Sequence, residues 1–245
     1  MESIDLKSCR ACALCDSRKH VLAGEGNAHA SILLIAQAPG ELEDESGKMF
    51  MGPSGDVFWS IINAINASRE DFYMTNLLKC RLPKNRRPKQ TEIAACSKHL
   101  EQELNMVSPT VVSPLGYYAC KYIFETRKIG RFDKSEYPSF IGKAFVCQDF
   151  IVIPLSHPTS LIHHPEYRSQ AQINYYRAFR LEPCKWFSLC PVRALTQAGR
   201  IGYFWTDHYC LNKWQECERY KLEAGGIAHA DNMLPDGSFI VAKSP

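Results

Sequence analysis

Residues 31–55 read SILLIAQAPGELEDESGKMFMGPSG and decide the fold prediction for the chain. The apolar run Ile32–Ala36 predicts a short buried strand, which ends where Ala38, Pro39 and Gly40 force the backbone to turn. An acidic loop punctuated by glycine follows. In an open α/β sheet, ligands bind at the carboxyl ends of the strands, so this stretch predicts the rim of an active site.

Length and composition favour one globular domain of ordinary size with a small appendage. The chain has 245 residues, of which 45% are hydrophobic and 22% charged, with a net charge of +3. No apolar run approaches the roughly 18 residues of a membrane span, and residues 1–7 show no apolar core of a secretory signal. We therefore expect a cytoplasmic protein with no membrane partner. The small net charge does not identify a polyanionic partner.

Strand and helix patterns alternate along the first 180 residues. After the first strand, further strands are predicted over residues 72–78, 110–116, 144–147 and 150–155, and helices over residues 57–65, 91–106 and 169–181. Residues 129–141 are polar and predict a loop. Alternation of this kind indicates a mainly parallel sheet with helices on both faces.

Cysteine is unusually frequent for a chain without a secretion signal. Eleven are present, and Cys9, Cys12 and Cys15 form two overlapping C-x2-C pairs. In a reducing compartment such clustering indicates metal or cluster ligation more than disulfides. A run of six basic residues without an acid, from Lys79 to Lys89, predicts an exposed basic loop.

The character of the chain changes after Pro183. Residues 183–245 hold four cysteines, three of the four tryptophans and a terminal MLPDG sequence. A segment this short has little room for a core, and metal coordination is a common remedy. We predict a main domain over residues 1–182 and a small cysteine module over residues 183–245.

The motifs of the main domain resemble uracil-DNA glycosylases, specifically the iron-sulfur branch called family 4. The matching stretches, in chain order, are Cys9 with Cys12, GEGN at 24–27, AQAPG at 36–40, Glu43-Asp44 with Gly47, Phe50 and Gly52, TN at 75–76, KCR at 79–81, NR at 85–86, Cys96, and His157-Pro158. The resemblance implies a three-layer α/β/α sandwich around a mainly parallel four-stranded sheet. It also implies excision of a base from DNA by hydrolysis of its N-glycosidic bond.

By this resemblance, Cys9, Cys12, Cys80 and Cys96 would ligate a 4Fe-4S cluster. Four thiolates from separate turns would also pin the basic loop to the body of the domain. Cys15 could take the place of Cys12, and zinc is the chemical alternative to iron, because thiolates alone do not choose between them.

Base excision needs a pocket for the flipped base and hydrogen-bond donors for the negative charge that grows on it. The resemblance assigns Phe50 and Ala38 to the base pocket, Asn76 to the base edge, and His157 to donation toward the base oxygen. A core aromatic, a turn-capping asparagine and a structural histidine are the ordinary alternatives.

Contacts to the DNA itself are expected from two places. Leu161 would wedge into the gap left by the flipped nucleotide. The basic loop would hold phosphates, against the alternative of a merely solvated loop. Its assigned DNA-binding residues are Arg81, Lys84, Arg86 and Arg87.

One departure bears directly on the chemistry. Family 4 has a glutamate at the position of Gln37, and other uracil glycosylases have an aspartate at the position of Ala38. Gln37 could still orient a water, or Glu41, Glu43 or Asp44 could reach in. An amide here also leaves room for another base, such as a hypermodified cytosine of phage DNA.

The C-terminal module is expected to hold a second metal centre, iron-sulfur or zinc. Its predicted ligands have the spacing C-x5-C-x19-C-x6-C and are Cys184, Cys190, Cys210 and Cys217. His208 or His229 could replace one of them.

Two functions follow as hypotheses. The first is a monofunctional DNA glycosylase that removes uracil or another modified base in repair, or in defence against modified phage DNA, and leaves an abasic site. The second is an iron-sulfur DNA reader that lost hydrolysis with the glutamate. In either case DNA is the expected partner and the protein is expected to act as a monomer.

Overall fold

The structure is a computed structural model that describes residues 6–130 and 132–240. Three predictions extend beyond these ranges: residues 1–5 of the segment without a signal, residue 131 of the predicted loop, and the last five residues of the C-terminal module lie outside the described residues.

A six-stranded mixed sheet forms the centre of the described chain. Its strand order is β1-β3-β2-β4-β6-β5. The strands are β1 (Glu25–Gly26), β2 (Ile32–Ala36), β3 (Phe72–Asn76), β4 (Val111–Pro114), β5 (Phe145–Val146) and β6 (Ile151–Val152). The four central strands are parallel, and β1 and β5 pair antiparallel at the two edges.

The predicted four-stranded sheet is therefore too small. It corresponds to the parallel centre. Edge strand β5 lies within the strand predicted over residues 144–147, whereas no strand is predicted at β1, whose two residues are too few for an alternation of apolar and polar residues to show.

Helices connect the strands and cover the sheet. They are α1 (Glu41–Ser46), α2 (Pro53–Ala64), α3 (Gln90–Val107), α4 (Tyr117–Thr126), α5 (Tyr137–Phe140), α6 (Pro158–His163), α7 (Arg168–Phe179), α8 (Pro191–Gln197) and α9 (Glu218–Ala224). α2 begins earlier than predicted, because Pro53 suits the first helical position, where no backbone N–H is needed. α5 lies inside the stretch predicted to be a loop.

Side chains of β2 alternate between two cores, one on each face of the sheet. Leu34 joins the core that contains Phe58 of α2 and Tyr175 of α7. Leu33 joins the core that contains Leu104 of α3. This alternation gives the α/β fold its helical layers on both faces, as the sequence predicted.

The C-terminal residues pack onto this body and do not form a separate core. Phe187 and Val192 belong to the same apolar cluster as Leu34. Tyr203 donates through its hydroxyl to the backbone oxygen of Ile129, and Asp207 accepts from the backbone N–H of Ala144 at 2.6 Å. The segment from residue 183 to residue 240 thus covers the β5 edge of the sheet.

Lys79 is buried, in contrast to the exposed basic loop that the sequence predicted. Its Nζ pairs with Glu103 of α3, and 1% or less of either side chain is exposed. The same Nζ donates to Thr75 and to the backbone oxygen of Asn76. A run of basic residues does not reveal this, because the acidic partner lies 24 residues further along the chain.

In the part of the chain that the structure describes, no helix combines the length and the apolar character needed to cross a membrane.

Replacing Lys79 by methionine should destabilise the fold strongly. Removing one partner of a buried ion pair leaves an uncompensated charge and costs about 3–5 kcal/mol. For a chain of this size each kcal/mol lowers the thermal midpoint by about 2–4 °C, which calorimetry measures.

Two further variants make this test specific. Lys79→Met combined with Glu103→Gln removes the remaining charge and should recover most of the loss. Lys121→Met breaks the exposed Lys121–Glu125 pair and should cost under about 1 kcal/mol. Equal losses for Lys79→Met and Lys121→Met would contradict the importance assigned to the buried pair.

Candidate active site and cysteine clusters

A cavity of about 710 Å³ opens at the carboxyl ends of β2, β3 and β4. It lies where ligands bind in open α/β sheets. The structure brings five of the predicted site residues to its wall, namely Gln37, Ala38, Phe50, Asn76 and His157.

Gln37 and Ala38 follow β2 directly. The backbone oxygen of Gln37 accepts from the N–H of Leu78 at 3.0 Å, so the chain ends of β2 and β3 hold the residue in place. Its half-buried side-chain amide makes no hydrogen bond to the described residues. The amide is therefore available to a water or a ligand.

Phe50 supplies an aromatic surface to the cavity. Its ring stacks on Phe58 with 3.9 Å between centroids and 12° between planes. Its backbone has φ +51°, which is rare for a bulky residue and marks strain of the kind found at ligand sites. Gly55 makes this conformation possible, because a Cβ there would lie 1.9 Å from the Phe50 oxygen.

Glu43 holds the Phe50 loop. It lines the cavity, but its Oε2 accepts from the N–H of Gly40 at 2.6 Å and its Oε1 accepts from the N–H of Phe50. Burial raises the pKa of Glu43, while these backbone bonds oppose the rise. Both oxygens are thus committed to the loop.

The other two carboxylates considered for catalysis do not line the cavity. Asp44 is buried and accepts from the backbone N–H groups of Lys19 and His20. Glu41 points outward and pairs with Arg81 at 3.0 Å. The expectation that Glu41 reaches the reacting atoms disagrees with this placement, because the first turn of α1 directs it to the surface.

Asn76 sits at the end of β3 and is 1% exposed. Its Nδ2 is buried and has no hydrogen-bond partner among the described residues. A buried donor without a partner costs about 1–3 kcal/mol of folding free energy, so we expect a ligand to accept a hydrogen bond from it. Because Asn76 lines the cavity, that ligand would lie in the cavity.

His157 precedes α6 and presents a defined tautomer. Its Nδ1 accepts from the N–H of Thr159 at 3.1 Å, so the hydrogen of the neutral ring is on Nε2. Burial lowers the pKa of His157 to about 4. The side chain is therefore an uncharged hydrogen-bond donor at neutral pH.

Leu161 is not placed as a wedge would be. It is 1% exposed and belongs to the apolar core, three residues after buried Pro158 on the inner face of α6. Its neighbour Ile162 lines the cavity instead. The sequence does not predict the burial of Leu161, because six residues of helix are too few to show which side of α6 faces the core.

The basic loop is divided into paired and unpaired residues. Arg86 forms a double hydrogen bond with Glu92, and Arg81 pairs with Glu41. Lys84 and Arg87 are exposed and make no ion pair within the described ranges. Asn85, which follows Lys84 directly, lines the cavity.

The sequence analysis missed several residues of the cavity wall, including Ser54, Tyr117 and Tyr137. Gly116, at the turn after β4, is the sequence feature that could have indicated Tyr117, the next residue, as part of the site. Gly116 has φ +88°, and a Cβ there would lie 3.3 Å from the Cβ of His157. Tyr137 lies on α5, where the sequence has no recognisable pattern.

Cys9, Cys12, Cys80 and Cys96 line a second, small cavity together with Cys15. The cavity also receives two hydrogen-bond donors for sulfur. Arg18 donates to Sγ of Cys80 at 3.1 Å, and the backbone N–H of Lys79 donates to Sγ of Cys96 at 3.3 Å. Donors of this kind stabilise thiolates, so the residues fit a thiolate-bound cluster.

The four C-terminal cysteines line a third cavity, of about 560 Å³. His229 lies on its wall as well, whereas His208 stacks on Phe204 outside it. Among residues 6–130 and 132–240, no three His, Cys, Asp or Glu groups are already arranged as a site for a metal ion. The cysteines line these cavities, but their sulfur atoms do not converge on a common metal position.

Comparison with known proteins gives a consistent family. A family model described as "Uracil DNA glycosylase superfamily" matches residues 23–180. A protein of Saccharolobus solfataricus named Type-4 uracil-DNA glycosylase is 36% identical over 179 residues, covering 69% of this chain and 81% of that protein. Proteins with the same name from Sulfurisphaera tokodaii and Archaeoglobus fulgidus are 35% and 31% identical, covering 66% and 71% of this chain and 74% and 91% of theirs.

The imidazole of His157 should stay neutral across the ordinary pH range. Its ring resonances, identified by their loss in His157→Asn, should not shift between pH 8 and about pH 5, because burial lowers the pKa to about 4. Heteronuclear NMR measures this directly. A midpoint near the ordinary value of about 6.5 would contradict the buried, neutral donor.

The same pKa has a consequence for stability. Below about pH 6.5 the unfolded chain binds a proton at this histidine that the folded protein takes up only near pH 4. His157 therefore destabilises the fold as the pH falls through this window. His157→Asn should lose that part of the acid sensitivity.

Proposed function

The chain belongs to the uracil DNA glycosylase superfamily, and from this premise we propose that it is a DNA glycosylase that hydrolyses the bond between uracil and deoxyribose. The observation that carries the proposal is the unpaired Nδ2 of Asn76, buried in the same cavity as the Nε2–H of His157 and the ring of Phe50.

These three groups match the needs of a flipped pyrimidine. Phe50 offers a face for the base, braced from behind by Phe58. The Asn76 amide can donate to a uracil carbonyl and accept from its N3–H, which distinguishes uracil from cytosine by hydrogen-bond polarity. The unpaired amide of Asn76 thereby favours a base that can form hydrogen bonds with it.

The proposed chemistry is cleavage of the bond from C1′ to the base nitrogen. The electron pair of that bond leaves with the base, and positive charge develops on the sugar. His157 donates through Nε2 to the base oxygen where negative charge accumulates. A neutral donor suits this role, because it holds the anionic base without requiring a proton to be bound first.

Gln37 is proposed to orient the attacking water. Its amide has no partner among the described residues, and Glu43 and Glu41 are engaged elsewhere. The oxocarbenium-like sugar accepts a weak nucleophile, so a positioned water suffices, and its proton passes to solvent. The expectation of a modified base, and with it a role against modified phage DNA, stays a prediction that rests on Gln37.

Lys84 and Arg87 are proposed to hold DNA phosphates near the cavity, because they are exposed cations of the basic loop that make no ion pair with the described residues. Arg81 and Arg86 would act mainly by shaping that loop through Glu41 and Glu92. Phosphate contacts give affinity that falls steeply with salt and carries no sequence preference.

Cys9, Cys12, Cys80 and Cys96 are proposed to hold an iron-sulfur cluster. Bound there, the cluster would supply strong metal–sulfur links between three separate parts of the chain. This chain's own residues support the site through Arg18 and the backbone of Lys79, which donate to two of the sulfur atoms.

The test is a panel of oligonucleotides that carry uracil, hypoxanthine or modified cytosines, in single and double strands. Alkali cleaves the abasic sites that a monofunctional glycosylase leaves. Cleavage at uracil supports the proposal. Binding of uracil DNA without cleavage of any substrate would instead support the non-hydrolytic reader.

Asn76→Asp should lower kcat/KM for uracil by about 10²–10³, because it removes the donor and adds a negative charge beside the departing anionic base. The change keeps the size of the side chain. Asn105→Asp, on the exposed face of α3, is the matched control and should leave kcat/KM unchanged. Equal rates for the two variants would remove Asn76 from the proposed site.

Gln37→Glu tests the proposed water-binding role of Gln37. An oriented water gains a base from the carboxylate, so uracil excision should rise if Gln37 occupies the water-binding position. Single-turnover rates measure the change. A fall in uracil excision would show that the neutral amide is itself required.

A further inference from the structure

We propose that Cys184, Cys190, Cys210 and Cys217 bind a thiolate-ligated metal centre within the C-terminal segment. The proposal is independent of base excision, because all of its proposed ligands lie outside the 23–180 family region.

The fold brings the four cysteines together from three separate stretches. The N–H of Cys184 donates to the backbone oxygen of Cys210 at 2.8 Å, which joins the first stretch to the second. Cys190 immediately precedes α8 and Cys217 immediately precedes α9. All four side chains line the same cavity of about 560 Å³.

The four thiol groups are available to a ligand. All four cysteines are free of disulfides, and all four side chains line the cavity.

A second observation points to a ligand in the same cavity. The side chain of His229 is 7% exposed and lies on the cavity wall. Its Nε2 faces Glu223 at 3.2 Å, but its buried Nδ1 has no hydrogen-bond partner among the described residues. A cavity lined by four cysteines and an unpaired imidazole nitrogen has the donor set of a thiophilic metal.

The position of the proposed metal centre gives it a structural purpose. Cys210 ends the helical turn that carries Asp207, and Asp207 holds both Arg177 of α7 and the backbone of Ala144. Few apolar side chains of the described segment are fully buried, so a metal would keep this turn in place against the β5 edge of the sheet.

The experiment measures metal and sulfide in the full-length protein purified without oxygen. Cys190→Ala and Cys217→Ala should each remove one centre per chain while leaving the iron of the N-terminal cluster, and should lower the thermal midpoint. Cys120→Ala is the matched control: Cys120 is fully buried, lines neither cysteine cavity, and should leave the metal content unchanged.

The amount and kind of metal lost distinguish a zinc ion from an iron-sulfur cluster. Loss of about one zinc per chain identifies a single ion, whereas loss of about four irons with sulfide identifies a cluster. Either result supports the proposal. Unchanged metal content in both variants, or quantitative disulfides between the four cysteines in the freshly purified protein, would overturn it.

Discussion

The buried ion pair between Lys79 and Glu103 joins helix α3, the end of β3 and the segment before β1. Glu103 accepts from the N–H of Gly24, and Lys79 accepts from Leu22 and donates from its backbone to Cys96. Through Nζ, Lys79 also holds the backbone of Asn76. Lys79 therefore links Asn76, the residue proposed to bind the base, to Cys96 of the proposed cluster.

The loop that follows β2 contributes no unpaired carboxylate to the cavity. Glu43 is bound by the loop it caps, Glu41 faces outward, and Gln37 is neutral. His157 is neutral as well, because burial opposes its charge. Fixed hydrogen-bond donors in an uncharged cavity stabilise an anion that forms inside the cavity. Departure of a base from its sugar produces such an anion.

The sequence predicted those features that depend on local pattern. The bounds of β2 agree with its apolar run, and the residues after β2 and β3, together with His157, meet in one cavity because parallel strands end at the same edge. The burial of Lys79 and Leu161 could not be predicted, since it depends on a distant partner and on the rotation of a short helix. Edge strand β5 lies within the strand predicted over residues 144–147, but β1 could not be predicted, because two residues carry no period.

Tyr137 and Ile141 of the cavity wall belong to a stretch that is fastened at both ends by the C-terminal segment, through Tyr203 at Ile129 and Asp207 at Ala144. The residues of the cavity wall and those that hold this stretch thus lie in different parts of the chain. Sequence change in the C-terminal segment can reshape the cavity while every residue proposed to contact the base stays the same. Divergence in substrate among such proteins need not be visible in the family region.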